Sequence, residues 1–314
     1  MKVYVTGGSG FVGRALLEEL ARRGIPAVAL ARSDAARAAV TVLGAEPAAG
    51  DLDDRAALQA GMAGCDLVVH AAAYVKENGP REEFFRANVQ GTENVLAAAR
   101  AAGVRRVVHV GTEAVLADGR PIVRADEDTP YPRKPAGLYP LTKGLAERAV
   151  RAANGDGLET VVVRPRFIWG RGDTSLLPNL IDAVRSGRWR WVAGGHYLTS
   201  TCHVTNVVEG ILAAAERGAP GGVYFLTDGD PVDFRDFMTD MLRAAGADPG
   251  DRTVPRWVAR TVARTTRWMK NPPISWTAIA LISHEVTVVD ARARRDLGYR
   301  GGKSIAAGLA ELAA

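Results

Sequence analysis

Short apolar runs alternate with amphipathic segments along the first 165 residues of the chain. Continuous apolar runs are typical of buried strands, whereas apolar residues spaced three or four apart are typical of helices. The runs predict strands at residues 2–6, 27–31, 45–49, 67–71, 106–111 and 160–164. The helical spacings fall at residues 11–23, 55–60, 84–102 and 138–153. Because consecutive strands joined by helices run parallel, the pattern predicts an α/β fold with a doubly wound parallel sheet.

The rhythm changes after Gly170. A predicted helix at residues 176–185 precedes an aromatic, turn-rich stretch, and a helix at 206–216 and a strand at 222–226 then resume the sheet pattern. The tail is predicted to be helical, with a break at Pro272 and Pro273. We therefore predict a main domain and a smaller, discontinuous C-terminal part. The main domain is residues 1–170 with about 203–228, and the smaller part is residues 171–202 and 229–314.

The composition is that of an ordinary globular protein. Of 314 residues, 47% are hydrophobic and 24% are charged, and the net charge is +5. The basic residues are scattered, so we predict no nucleic-acid partner. No apolar run approaches the roughly 18 residues that span a bilayer, and a strand starts at once, so we expect no membrane span, no signal peptide and a cytoplasmic location. The two cysteines, Cys65 and Cys202, fit a reducing compartment, and the histidine spacing predicts no metal site.

A glycine-rich turn, residues 6–13, joins the first predicted strand to the first predicted helix. Glycines let the backbone approach a phosphate closely, and a helix N-terminus offers unpaired N–H groups with a partial positive charge. A plain tight turn is the alternative, but its place between strand and helix favours a dinucleotide site of the Rossmann type. The residues predicted to bind the cofactor here are Gly7, Gly10, Phe11, Val12 and Gly13.

The end of the second strand bears on which dinucleotide is bound. An acidic residue there accepts a hydrogen bond from the ribose 2′-hydroxyl of NAD, whereas an arginine can pair with the 2′-phosphate of NADP. This chain has Arg32 at that position, followed by Ser33. We therefore predict NADP(H), with NAD(H) as the alternative. Arg32 can also be a plain surface residue, with Asp34 capping the next helix.

The third and fourth strand ends complete the predicted cofactor site. Asp51, with Leu52 beside it, is placed to accept a hydrogen bond from the adenine amino group. The alternative is that Asp51 or Asp53 caps the following helix. After the fourth strand, small side chains let the backbone lie close under the cofactor. These small residues are Ala71, Ala72 and Ala73.

Three residues carry the predicted chemistry. Tyr139 and Lys143 are four residues apart and share one helix face, while Thr112 follows the fifth strand. A lysine ammonium beside a phenol lowers the phenol pKa, and a tyrosine tuned in this way can exchange a proton with a substrate oxygen as hydride moves. The Thr112 hydroxyl can bind and orient that oxygen. A tyrosine–lysine pair alone is common on helix surfaces, but the glycine turn and Thr112 favour a catalytic site.

These motifs together resemble the extended short-chain dehydrogenases/reductases, a group that holds sugar-nucleotide epimerases, 3β-hydroxysteroid dehydrogenase-like enzymes and dihydroflavonol reductase-like enzymes. The resemblance covers nearly the whole chain. It rests on residues 6–13, 50–52, 70–73, 88–92, 139–143, 164–170, 203–207 and 290–299.

The resemblance implies roles for individual residues. Tyr139 would be the catalytic acid/base, Lys143 would bind the nicotinamide ribose, and Thr112 would replace the usual serine. Pro165 and Ile168 would line the nicotinamide amide, and Asn88 would support the pocket. Relatives often pair through two helices, here 84–102 and 138–153, so a homodimer is expected.

One departure from the family pattern bears on the substrate. Sugar-nucleotide relatives have an arginine about four residues before the position of His203, and this chain has Thr199 there. Nearby aromatic residues suggest an apolar pocket: Trp189, Trp191, Tyr197 and the tryptophans of the tail. We predict an oxidoreductase for a ketone or secondary alcohol on an apolar ring substrate, such as a steroid-, polyketide- or flavonoid-like molecule. The alternatives are a sugar-nucleotide epimerase or dehydratase with tightly bound NAD, and a non-catalytic NAD(P)-binding regulator.

Overall fold

A seven-stranded parallel sheet forms the centre of the computed structural model, which describes residues 1–76, 79–266, 268–269 and 274–313. The predicted break at Pro272 and Pro273 lies outside the described residues. The strands are β1 (Val3–Thr6), β2 (Ala27–Ala31), β3 (Glu46–Ala49), β4 (Leu67–His70), β5 (Arg106–Val110), β6 (Ile122–Ala125), β7 (Glu159–Pro165), β8 (Ile168–Trp169), β9 (Trp191–Val192), β10 (Leu198–Thr199), β11 (Cys202–His203), β12 (Val223–Leu226), β13 (Val232–Asp233), β14 (Thr253–Val254) and β15 (Val286–Val288).

The order of the central sheet is β12-β7-β5-β4-β1-β2-β3, and neighbouring strands are parallel. The chain moves outward from β1 in one direction and then in the other, which confirms the predicted doubly wound α/β fold. Every predicted strand of this sheet is present to within one residue at each end. The carboxyl ends of β1, β4 and β5 therefore meet at one edge, where ligands bind in such sheets.

Helices cover both faces of the sheet. They are α1 (Phe11–Arg22), α2 (Asp34–Val42), α3 (Arg55–Met62), α4 (Arg81–Phe84), α5 (Gly91–Ala101), α6 (Leu138–Ala152), α7 (Leu177–Arg185), α8 (Val204–Arg217), α9 (Phe234–Ala244), α10 (Arg256–Thr265), α11 (Trp276–Ile282), α12 (Ala291–Leu297) and α13 (Ile305–Ala313). The predicted helix 84–102 is not continuous, because a π-helical segment, Phe85–Gln90, separates α4 from α5. No helix among the described residues is long and apolar enough to cross a bilayer.

Two apolar layers lie on the two faces of the sheet. The alternation within β1 shows how they arise, since Val3 and Val5 enter one layer and Tyr4 enters the other. The first layer packs against α1 and α8, and the second packs against α3, α5 and α6. Burial of both faces explains why these strands are continuously apolar rather than alternating.

A second set of short strands lies outside the central sheet. Four of them form a sheet in the order β13-β10-β15-β6, so β6, which the apolar pattern does not predict, pairs with a strand from the tail. A separate apolar cluster, which includes Trp169, Trp191, Phe234 and Phe237, packs in the same part of the chain. This part adjoins the catalytic cavity described below.

Candidate active site

The glycine-rich turn joins β1 to α1, and close backbone contacts require two of its glycines. Gly7 has a φ of +76°, and a Cβ added to Gly13 would lie 2.0 Å from the Gly7 carbonyl oxygen. Side chains at these positions would therefore displace the turn. Gly10 is the residue directly before α1, whose first residues are Phe11 and Val12. No side chain caps this helix end, and the first turn of α1 has no acidic residue. The first N–H groups of α1 are thus suited to an anion.

The loop after β4 lies directly against this turn. The Ala71 N–H donates to the Thr6 carbonyl oxygen at 3.2 Å, and the Ala72 N–H donates to the Thr6 hydroxyl at the same distance. A Cβ on Gly7 would lie 2.7 Å from the Ala72 nitrogen. Small residues at Ala71, Ala72 and Ala73 therefore match a place where two backbone segments come together.

Arg32 lies at the carboxyl end of β2, and its side chain is exposed. The adjacent Ser33 hydroxyl accepts a hydrogen bond from the Ala36 N–H at 3.2 Å and caps α2. The alternative that Asp34 caps this helix is wrong, because Asp34 is already the first helical residue. The Ser33 hydroxyl only accepts in this cap and keeps its own proton, so two exposed donors, Arg32 and Ser33, lie at this strand end.

Asp51 follows β3, and its carboxylate accepts a hydrogen bond from the Leu52 N–H at 2.7 Å. Leu52 itself is buried. Neither Asp51 nor Asp53 caps α3, because the Asp54 carboxylate accepts from the Ala57 N–H at 2.9 Å. The capping alternative is therefore wrong for both residues, and Asp51 is placed at the strand end without a helix to cap.

Thr112 and Tyr139 line a cavity of about 270 Å³ at the carboxyl ends of β5 and β7. Pro165 and Ile168 line it as well, but Lys143 is not part of its wall. Much of the remaining wall is apolar. Phe167 is part of this wall, and the C-terminal part of the chain contributes Leu180, Trp189, Phe234, Met238 and Leu281. The structure therefore brings together two of the three predicted catalytic side chains in an apolar pocket.

Lys143 lies one helical turn behind Tyr139 and is bound to β5. Its Nζ donates to the Val110 carbonyl oxygen at 2.9 Å and lies 3.3 Å from Nε2 of His109. Burial lowers the pKa of Lys143 to about 8, against the opposing charge of Glu147. Burial and the Lys143 charge in turn keep the pKa of His109 well below its usual range, so His109 is neutral and can accept this hydrogen bond.

The pKa of Tyr139 is raised, which is opposite to the predicted direction. Burial is the largest cause and the negative charge of Glu113 adds to it, while a hydrogen bond with Thr112 opposes both. The prediction fails because burial, which disfavours the charged phenolate, dominates the pKa of Tyr139. Tyr139 therefore carries its proton at neutral pH, as an unperturbed tyrosine also does.

A buried ion pair in the cavity wall was missed by the sequence reasoning. Nη1 of Arg166 donates to the Glu113 carboxylate at 3.0 Å, and both side chains are almost fully buried. The Thr112 hydroxyl donates to the other Glu113 oxygen at 2.9 Å. Glu113 thus directs the Thr112 hydroxyl. Its position directly after Thr112 was the available signal, but nothing in the spacing pointed to Arg166 as its partner.

Asn88 ties the π-helical segment to the catalytic helix. Its side chain accepts from the Tyr74 N–H at 2.7 Å and donates to the Thr142 hydroxyl at 3.1 Å. Thr142 lies directly beside Lys143 in α6. Asn88 therefore supports the site through the backbone and a neighbouring hydroxyl.

Most of the aromatic residues expected in the pocket lie elsewhere. Trp189 lines the cavity, but Trp191 is buried in the core and donates its Nε1–H to the Gly250 carbonyl oxygen. Tyr197 donates its hydroxyl to the Ile282 carbonyl oxygen. In the tail, Trp257 is 71% exposed and Trp268 is 82% exposed. The third tail tryptophan, Trp276, packs against a core cluster. Trp189 is therefore the one of these predicted aromatic residues that lines the cavity.

A larger cavity, of about 890 Å³, lies between α1 and α8 and contains none of the predicted catalytic residues. Its wall combines arginines and glutamates, and two of the arginines, Arg22 and Arg23, are already bonded to Glu19. We place the chemistry in the smaller cavity, because only that one is lined by Tyr139 and Thr112.

Neither cysteine has the surroundings of a nucleophile. Cys65 and Cys202 are both buried and unpaired, and burial raises the pKa of each thiol. Among the residues that the structure describes, one group of candidate metal ligands is present on the surface, where His196 lies beside Asp233 and Asp236. Exposed acidic groups often lie together without an ion, and this group is not part of either cavity.

The fold and the site together are those of the extended short-chain dehydrogenases/reductases, and comparison with known proteins agrees. The model of the 3-beta hydroxysteroid dehydrogenase/isomerase family matches residues 4–256. The chain therefore belongs to that family.

Individual relatives narrow the activity. The chain is 53% identical to a 4-hydroxy-2-methyl-3-oxo-4-farnesyl-3,4-dihydroquinoline-1-oxide ketoreductase of Stigmatella aurantiaca, over 96% of this chain and 92% of the relative. It is 35% identical to a 2-alkyl-3-oxoalkanoate reductase of Stenotrophomonas maltophilia, over 100% and 99% of the two chains. A short-chain dehydrogenase/reductase superfamily protein from Agrobacterium tumefaciens with bound NAD is 25% identical, with a TM-score of 0.77 over 100% and 96%.

These findings decide among the three predicted activities. The chain is an enzyme, an NAD(P)-dependent oxidoreductase of the extended short-chain type, since its relatives are reductases and dehydrogenases. They do not favour an epimerase, a dehydratase or a non-catalytic regulator. The predicted resemblance of the chain to the extended short-chain dehydrogenases/reductases is thereby confirmed.

Proposed function

We propose that the protein reduces a ketone on a largely apolar, ring-bearing substrate to a secondary alcohol, with Tyr139 as the proton donor. The observation that carries this proposal is that Tyr139 lines an apolar cavity beside Thr112, at the carboxyl ends of β5 and β7. Tyr139 would transfer its phenolic proton to the carbonyl oxygen as the carbonyl carbon receives hydride. Thr112, held by Glu113, would position the same oxygen.

The residues present fit a dinucleotide cofactor. The Gly7–Gly13 backbone contact leaves no room for side chains in the turn, and the start of α1 offers uncapped N–H groups to a pyrophosphate. Asp51, Leu52, the Ala71–Ala73 loop, Pro165 and Ile168 would line the rest of its path, and Lys143 would bind the ribose. When bound, the nicotinamide cofactor supplies the hydride. We propose that residues 1–170 and about 203–228 hold it, while residues 171–202 and 229–314 contact the substrate.

We propose NADP(H) as the preferred cofactor because Arg32 is exposed at the end of β2. Changing Arg32 to Ala should weaken NADPH binding at least about tenfold and leave NADH binding nearly unchanged, since only NADPH carries the 2′-phosphate. Fluorescence titration of both cofactors measures this. Arg264→Ala, which removes an exposed arginine from α10, is the matched control. Equal losses for both cofactors in Arg32→Ala would refute the preference.

The substrate class is supported by two relatives whose names specify substrates. One acts on a ring ketone that carries a farnesyl chain, and the other acts on an alkyl-substituted oxoalkanoate. Both substrates combine a ketone with an apolar substituent, farnesyl in one and alkyl in the other, and have a second oxygen group near the ketone. An apolar-walled cavity suits such molecules, and steroid-, polyketide- and flavonoid-like ketones are the classes to screen.

The Tyr139→Phe variant tests the chemistry. It should lower kcat for ketone reduction by about 100-fold or more, because a positioned proton donor contributes roughly that factor. NADPH oxidation followed at 340 nm, with a panel of apolar ring ketones, gives the rate. Tyr4→Phe is the matched control, because the buried Tyr4 hydroxyl has no hydrogen-bond partner among the described residues. A Tyr139→Phe enzyme with wild-type kcat would overturn the assignment.

We also propose a homodimer. The outer surfaces of the π-helical segment and α6 carry half-buried apolar side chains that belong to neither layer of the sheet core. These side chains are Phe85, Val89, Leu141 and Leu145.

A further inference from the structure

The Glu113–Arg166 ion pair is an unusual feature for the wall of an otherwise apolar cavity. Both side chains line the cavity, and their exposed fractions are 3% and 4%. Removing two charges from water costs free energy that their mutual attraction only partly returns. A buried ion pair at the reaction site is therefore expected to do something that two apolar side chains could not do, such as bind a polar group of the substrate.

The Arg166 guanidinium is held in place on several sides. Nη1 donates to Glu113 at 3.0 Å, and Nη2 donates to the Thr199 hydroxyl at 3.2 Å and to the Leu281 carbonyl oxygen at 2.9 Å. Its Nε is buried and has no hydrogen-bond partner within the described part of the chain. A fixed guanidinium with an unpaired N–H is a donor ready for an acceptor from outside the protein.

A second buried pair shows that Arg166 is not simply part of the scaffold. Glu147 and Arg164 form a comparable pair between α6 and β7, with Tyr131 bonded to the same carboxylate. Neither member of that pair lines the catalytic cavity. The Arg164 pair thus joins elements of the fold away from the cavity, whereas both members of the Arg166 pair line the cavity.

We propose that Arg166 is a substrate-binding subsite that accepts an uncharged oxygen, a hydroxyl or carbonyl, on the carbon next to the reacting ketone. Glu113 already neutralises the guanidinium, so an uncharged acceptor suits the subsite better than a carboxylate. Because Glu113 also holds Thr112, the subsite lies beside the residue that positions the reacting oxygen. The preferred substrate is then an α-oxygenated ring ketone.

This proposal rests on the proposed function and deepens it. The 3-oxo-4-hydroxy arrangement in the name of the Stigmatella aurantiaca relative's substrate has this chemistry, with a hydroxyl on the carbon next to the ketone. Thr199 helps to fix Arg166 at the cavity wall, since its hydroxyl accepts a hydrogen bond from Nη2 of Arg166 at 3.2 Å.

Two matched ketones test the subsite in the full-length enzyme. We compare kcat/KM for 1-hydroxy-2-tetralone and 1-methyl-2-tetralone, which differ by a hydroxyl and a methyl of similar size. The wild-type enzyme should favour the hydroxy ketone by roughly 10- to 100-fold, the range for a hydrogen bond from a charged donor. The ratio of the two values is the measurement, so a general loss of rate does not mimic the effect.

Three variants locate the preference. The double variant Glu113→Gln/Arg166→Met removes both charges together, and its ratio should fall to near one. Arg166→Lys keeps the charge opposite Glu113 but lacks Nε, so the ratio should fall while the buried glutamate stays compensated. Lys76→Met removes the other cation that lines the cavity and should keep the wild-type ratio.

The outcomes separate this proposal from the proposed function. A wild-type ratio near one, or a preference that survives in the double variant, overturns the subsite while ketone reduction itself stands. A wild-type preference for a 2-alkyl-3-oxoalkanoate over the hydroxy ketone overturns the choice of an uncharged oxygen. If the enzyme reduces none of these ketones, the result contradicts the proposed function itself rather than the subsite alone.

Discussion

At the scale of single residues, Tyr139 and Lys143 are arranged differently from what their spacing predicts. Lys143 and Tyr139 share a helix face, but the lysine is bonded to His109 and Val110 on β5. The half-buried Tyr139 beside the Glu113 carboxylate has a raised pKa, and the buried Lys143 has a lowered one. At neutral pH the site holds a protonated phenol and an ammonium group, which is the protonation state that ketone reduction needs.

The pKa of Lys143 gives a pH dependence with a definite sign. Because it is lowered to about 8, the ammonium form prevails below pH 8 and the neutral amine prevails above it. We expect kcat/KM for ketone reduction to fall as pH rises through about 8, since Lys143 then loses the positive charge with which it would bind the cofactor ribose. The raised pKa of Tyr139 keeps that residue protonated over the same interval. A pH–rate profile from pH 6 to about 10 measures the effect.

The control for this prediction is Lys143→Arg. Its guanidinium stays protonated throughout the interval, so the decrease near pH 8 should disappear even if the rate is lower overall. A decrease that persists unchanged in Lys143→Arg would show that another group titrates there.

At the scale of elements, the turn between β1 and α1 is fixed by backbone contact rather than by side-chain bonds. Gly13 lies in the first turn of α1, where its Cα faces the Gly7 carbonyl at a distance that excludes any Cβ. Helix and strand can approach this closely only when the residue is glycine. The same closeness exposes the start of α1 to a phosphate.

Gly13→Ala should therefore damage both the fold and cofactor binding. The added Cβ would lie 2.0 Å from a backbone oxygen that no side-chain rotation can move. We expect a loss of about 1–3 kcal/mol in the free energy of unfolding, as for overpacked sites, and at least about tenfold weaker NADPH binding. Urea unfolding and fluorescence titration measure the two effects.

Gly302→Ala serves as the comparison for this variant. A Cβ at Gly302 has no heavy atom within 4 Å, so its stability and NADPH affinity should match those of the wild type. A Gly13→Ala protein as stable as Gly302→Ala would mean that the turn relaxes at little cost.

At the scale of the whole molecule, local signals and long-range contacts differ in how far the sequence reveals them. The apolar runs fix the strands, and the glycine turn, Thr112 and Tyr139 follow from residues adjacent in the chain. The bonds from Arg166 to Glu113 and Leu281 join residues 53 and 115 positions apart. Periodicity contains no information about such pairs. The aromatic residues show the same limit, because Trp191 and Trp189 are two positions apart but have different surroundings.

The proposed dimer depends on a surface that only the assembled fold reveals. In α6, Leu141 and Leu145 are one turn apart and half-buried, and Phe85 and Val89 are half-buried on the adjoining π-helical segment. A face of this kind is stabilised when a second copy covers it.

Leu145→Glu should convert a dimer to a monomer, because a carboxylate would lose its water in the interface. Light scattering during size-exclusion chromatography measures the mass, and Val42→Glu, at an 86% exposed position on α2, should leave it unchanged. A wild-type monomer at micromolar concentration, or a dimer that tolerates Leu145→Glu, would place the subunit contact elsewhere or exclude it.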